Sequence, residues 1–95
     1  MRDEDLTMKT RLVKLLYDKG EAWDYELVEE IKRVSGKNTE YWTWVIRYWV
    51  MELENSNIFK SIEADIDDGS HFAKDKVLYK VKMTKLGKER IESLL

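Results

Sequence analysis

Residues 42–66 read WTWVIRYWVMELENSNIFKSIEADI, and the spacing of their apolar side chains changes partway along. Stepping ~100° per residue from Trp42 brings Ile46, Trp49, Val50 and Leu53 onto one arc, which is the signature of an amphipathic helix. After Asn57 the period becomes two. Ile58, Ile62, Ala64 and Ile66 share one parity, with Glu63 and Asp65 on the other. A helix capped by Asn38 or Thr39 and ending near Asn55 is therefore expected to run straight into a β-strand. The helix is apolar almost all round, because Tyr41, Trp44, Tyr48 and Met51 lie roughly opposite the core arc. Such a helix is buried on two sides or offers its outer face to a partner.

Working outward, Val77, Tyr79, Val81 and Met83 alternate with Lys76, Lys80 and Lys82, and Asp67-Asp68-Gly69-Ser70 supplies turn residues before them. Two strands and a long loop make a hairpin. Thr84 reads as the N-cap of a short closing helix carrying Leu86, Ile91, Leu94 and Leu95. Upstream, Leu12, Val13, Leu15 and Leu16 mark a helix over residues 6–19 that stops at Gly20. Leu27, Val28, Ile31 and Val34 mark a second, with Asp24 as its N-cap and Ser35-Gly36 at its end. A very short strand around Ala22-Trp23 can join the hairpin as a third member. The expected fold class is α+β, with residues 1–95 forming one domain.

Composition narrows the function. The chain has 95 residues, no cysteine and one histidine, His71. Disulfide frameworks and thiolate metal sites are excluded, and too few ligands remain for a His-based zinc or catalytic centre. No glycine-rich phosphate loop or activated nucleophile is present, so an enzyme is not expected, and neither is a cofactor. Asp65, Asp67, Asp68 and Asp75 lack the spacing of a calcium loop and read as turn formers. No apolar stretch is long enough to span a membrane, the first residues are acidic, and a reducing cytoplasm is the expected compartment. Net charge is −2, yet residues 74–95 hold seven basic side chains against three acidic ones. A basic patch thus sits inside an acidic protein.

Two stretches, Leu53-Glu-Asn-Ser-Asn-Ile-Phe59 and Val77-Leu-Tyr-Lys-Val-Lys-Met-Thr-Lys-Leu-Gly87, resemble the winged helix-turn-helix superfamily of DNA-binding domains. The stretch from Leu53 to Phe59 resembles the end of a recognition helix entering the wing, with Asn57 where glycine is common. Asparagine is the next-best residue for a left-handed cap. The stretch from Val77 to Gly87 resembles the closing wing strand and T-x-x-G helix entry of small PadR- and MarR-like regulators, a class common in archaea and their viruses. The resemblance implies a transcriptional regulator that binds double-stranded DNA, with the third helix in the major groove and the hairpin tip on phosphates or in the minor groove. Carried over by position, the groove-facing residues would be Lys37, Asn38, Thr39, Glu40, Tyr41, Thr43, Trp44 and Arg47. The wing residues would be Ser70, His71, Lys74 and Lys76. This helix is less basic and more aromatic than a typical reading helix.

Alternatives stay open for several of these. Trp44, Tyr48 and Met51 suit a protein or dimer surface, nucleic-acid contact, or burial under the N-terminal segment. A winged-helix module that binds another protein through this aromatic face is the competing function. Lys80 and Lys82 suit either phosphate contact or the solvated face of an edge strand. His71-Phe72 suits a tip that enters the minor groove or a loop without a role. Finally, Leu6, Met8, Leu12 and Leu15 at one end, with Ile91, Leu94 and Leu95 at the other, exceed what a small core can use. That surplus predicts a homodimer built from the first and last helices.

Overall fold

The computed structural model describes the backbone of residues 3–93 and the side chains of residues 8–93. The order is α1 (Asp3–Lys19), β1 (Glu21–Trp23), α2 (Asp24–Ser35), α3 (Glu40–Asn55), β2 (Phe59–Ile66), β3 (Val77–Met83) and α4 (Lys85–Glu92). This is a small α+β domain with a winged-helix-like order. The strands form one antiparallel sheet ordered β1-β3-β2, so β3 carries both neighbours. Ala22 faces Val81 and Trp23 faces Lys80, which makes the short strand the third member.

The core lies between the three long helices and one face of the sheet. Leu12, Leu16, Leu27, Ile46 and Val81 are wholly buried, and each such side chain stabilises the fold by roughly 1.5–3 kcal/mol. Trp49 and Leu53 are buried as their spacing predicts, and Trp42 packs half-buried against the same cluster. Tyr41, Tyr48 and Met51 are well exposed and Trp44 less so, because Phe72 and Lys76 of the following loop reach it, so the rest of the outer face of α3 is uncovered by the described residues.

Two expectations change. In β2, Ser61 faces Val81 and Glu63 faces Lys80, which leaves Ile62 in a bulge. The extra residue switches the alternation. Phe59 and Ser61 therefore share a face with Ala64 and Ile66, while Ile62 is exposed. The surplus of apolar residues at the chain ends also shrinks. Met8, Leu12 and Ile91 are buried in the domain's own core, and Leu15 packs against it. The side chain of Leu6, and Leu94 and Leu95 altogether, lie outside the described residues.

The joins explain why the elements stop where they do. Gly36 ends α2 at φ 71°, its N–H donating to the Lys32 carbonyl. Asn57 sits at φ 61°, the left-handed position expected of it, and lets the Ile58 N–H donate back to the Leu53 carbonyl at 2.9 Å. Thr84 caps α4, its hydroxyl accepting from the Gly87 N–H at 2.9 Å and donating to the Asn57 carbonyl. Gly87 is buried, and a Cβ there would run into the Ile58 carbonyl oxygen. Gly87→Ala should therefore cost about 1–3 kcal/mol from overpacking, and Thr84→Ala about 1 kcal/mol from the lost cap. Urea denaturation of the two variants measures both.

Candidate nucleic-acid interface

The connection between β2 and β3, residues 67–76, is organised by one side chain. Asp67 is 1% exposed, and its carboxylate accepts the backbone N–H groups of Gly69, His71, Phe72 and Ala73 at 2.6–3.3 Å. Its own N–H donates to the Lys76 carbonyl, and its carbonyl accepts from Asp75, which closes the loop. Burial alone would raise this carboxyl, but the four donors outweigh it and hold it below the usual carboxylate range. Asp67 thus acts as the turn former its sequence context suggests. Among the described residues no cluster of three or more His, Asp or Glu is placed to hold a metal ion.

Anchored this way, the loop folds back on the domain instead of projecting as a tip. Phe72 packs half-buried against the core, and the Arg47 guanidinium lies 4.3 Å from its ring centre. His71 turns the other way and stacks on Tyr25, with centroids 3.6 Å apart and planes 9° from parallel. Ser70 is exposed and held by the Asp68 carboxylate. Lys74 and Lys76 are exposed on the returning limb.

On α3, the N-terminal half collects cations around rings. Arg47 and Lys76 lie 5.2 and 5.7 Å from the centre of Trp44, and Lys37 lies 5.4 Å from that of Trp42. Thr43 accepts a hydrogen bond from the Lys32 ammonium at 2.7 Å. Arg47 also donates to the Val77 carbonyl at 3.3 Å, which occupies one of its five N–H donors. Thr39 is the N-cap of α3 without a side-chain cap bond, and Asn38, Thr39, Glu40 and Tyr41 are exposed around it.

The fold thus brings together Trp44, Arg47 and Lys76 from the expected residues. It leaves His71 apart from them, on the Tyr25 side of the loop. Sequence reasoning missed Lys32, Tyr25 and the anchoring role of Asp67, and it placed Asp24 wrongly. Asp24 does not cap α2; the N-cap is Trp23, and Asp24 is 3% exposed within the first turn. Burial pushes its carboxyl up, partly offset by the Tyr79 N–H and the Arg47 charge, and Oδ1 has no hydrogen-bond partner among the described residues. No family model, curated protein or solved structure matches the chain.

The two carboxylates have opposite linkage to pH. Asp67, depressed in the folded state, contributes stability that is whole above the ordinary carboxylate range and is lost as pH falls through its folded value. Asp24, raised, contributes stability that is whole below that range and is lost as pH rises through its folded value. Melts followed by circular dichroism between about pH 2 and 8 separate them. Asp67→Asn should lower Tm at neutral pH and converge with the parent in acid. Asp24→Asn should raise Tm at neutral pH and likewise converge in acid.

Proposed function

We propose that this domain is a small sequence-specific DNA-binding protein of the winged helix-turn-helix kind, a transcriptional regulator acting as a homodimer and not a catalyst. The observation that carries the reading is the cluster at the N-terminal half of α3. There Arg47 and Lys76 flank the exposed Trp44 ring, with Lys37 and Lys32 alongside. Cations interleaved with rings suit a phosphate backbone and base surfaces together. In a protein of net charge −2, gathering four basic side chains around one half-helix, Arg47 from α3 itself and Lys32, Lys37 and Lys76 from neighbouring segments, runs against the average. The pairing surface would be the apolar groove between α1 and α4, lined by Val13, Leu53, Ile58 and Ile91.

A separate observation favours a competing reading. Tyr48 and Met51 are 60% and 54% exposed, farther along α3 from the basic cluster, and aromatic and Met side chains are enriched where proteins meet. The domain would then be an interaction module docking a protein on this face.

Fluorescence anisotropy with a random-sequence duplex across salt concentrations separates the readings. For DNA binding, affinity falls steeply with salt, and replacing Lys74 and Lys76 by alanine flattens the slope of log affinity against log salt by about two per protomer. Trp44→Ala should weaken binding by about 2 kcal/mol, roughly thirtyfold, and, because Trp44 is only 37% exposed and packs against Phe72 and Arg47, it should also lower Tm by a few degrees. No binding at tens of micromolar protein would reject the DNA reading and leave the interaction module.

A further inference from the structure

The opposite side of the same loop holds a cavity unlike the basic cluster. It has a volume of about 160 Å³ and is lined by Trp23, Tyr25, His71, Leu78, Asp65 and Asp68. The strand register explains how these residues meet. Trp23 faces Lys80 and Asp65 faces Leu78, so Trp23, Asp65 and Leu78 share the face of the sheet that points away from Val81 and Met83. Leu78 is nevertheless 5% exposed there, in line with a covered site on that outer face. Tyr25 at the start of α2 and His71 from the folded loop complete the surroundings, stacked on each other, with Trp23 a further 6.1 Å away in a near-parallel plane.

Three features of this cavity point to one ligand chemistry. Its rings carry π systems that attract a cation and tolerate its alkyl groups, with one face of Tyr25 and one of His71 spent on each other and the remaining edges and faces bordering the cavity. Its two carboxylates are only partly used: Asp65 accepts from the Ile66 N–H through Oδ1, and Asp68 accepts from Ser70 through Oδ1. Their other oxygens carry no hydrogen bond among the described residues. The volume is about that of five waters at ~30 Å³ each and comparable with cavities of about 150 Å³ that take benzene.

We propose that this cavity binds an alkylammonium group, with the rings of Trp23, Tyr25 and His71 bordering its carbon atoms and the Asp65 and Asp68 carboxylates neutralising its charge. The surrounding field agrees. The Tyr25 hydroxyl is pushed up first by burial and then by the nearby charges of Glu26, Asp24, Glu29 and Asp65, and Lys80, the cation beside Trp23 on this face, is already paired with Glu21 and Glu63. The ammonium is supplied either by a free amine or by a lysine side chain of another protein. This site is independent of the DNA reading, because it uses neither the outer face of α3 nor the lysines of the loop.

The test is a titration of ¹⁵N-labelled protein without DNA, using tetramethylammonium chloride and n-butylammonium chloride with sodium chloride at equal ionic strength as the control. Saturating shifts are expected at the Trp23 indole and at the amides of residues 23–25 and 65–72, with Kd on the order of 1–10 mM. The uncharged tert-butanol should bind at least about tenfold more weakly, the difference being the cation's attraction to rings and carboxylates. Asp65→Asn keeps the shape and should weaken both ammonium ions about three- to tenfold. Tyr25→Leu should abolish the response; should that variant fail to fold, Asp65→Asn alone decides. A capped Gly-Lys-Gly peptide binding more tightly than n-butylammonium identifies a protein side chain as the source, and weaker binding identifies a free amine. Shifts no larger than those from sodium chloride, equal binding of tert-butanol, or unchanged affinity in Asp65→Asn would each overturn the proposal.

Discussion

A single buried carboxylate organises the β2–β3 end of this domain. Four N–H groups of the β2–β3 connection need an acceptor once the chain leaves the ladder, and Asp67 supplies it from beneath the loop. These donors are partly shielded from water, and four bonds converging on one carboxylate favour a single loop conformation over many. Everything near it inherits that conformation. Phe72 reaches Arg47 and Trp44, His71 reaches Tyr25, and Lys76 returns to the side of α3.

The consequence is a separation of charge across a few residues of chain. On one side of the loop, Arg47, Lys76 and Lys37 lie over indole rings. On the other, Asp65 and Asp68 border a cavity among Trp23, Tyr25 and His71. The nearly balanced totals of acidic and basic residues hide this segregation. Aromatic rings line both sides, and on the α3 side the protein's own cations lie over them. Lys80 shows a third arrangement on the outer sheet face, paired with Glu21 at 3.1 Å and Glu63 at 3.9 Å. Partly exposed pairs of this kind contribute little net stability, and Lys80 is accordingly engaged with its own sheet.

Much of the fold was legible because its signals are local. The change of period at Asn57, the glycine after α2 and the threonine before α4 each depend on residues within one or two turns of the chain. Their positions agree closely with the observed elements. The failures share a cause as well. The bulge at Ile62 is set by the partner strand, since nothing in IEADI states that one residue will be left out of the ladder. Asp24 has the composition of an N-cap, yet its side chain is drawn under β3 and toward Arg47 by packing that lies far off in sequence. Leu78 interrupts a lysine-rich alternation and is buried because Tyr25 and His71 arrive from other elements to cover it.

The sequence by itself determined the order of the helices and the hairpin, and the buried arc of α3, while the third strand and the exposure of the aromatic face opposite that arc stayed open in it. Periodicity and caps act over a few residues, so the chain records them in plain order. Tertiary structure alone decided which of the candidate site residues meet. Trp44 and Arg47 lie one turn apart on the same helix, but Lys76 joins them only through a loop whose path is set by hydrogen bonds to Asp67. Lys32 arrives from α2 to meet Thr43, and Tyr25 from the start of that same helix to meet His71. Such meetings depend on the direction of a backbone held by a buried acceptor, and a linear pattern of residue types does not encode that direction.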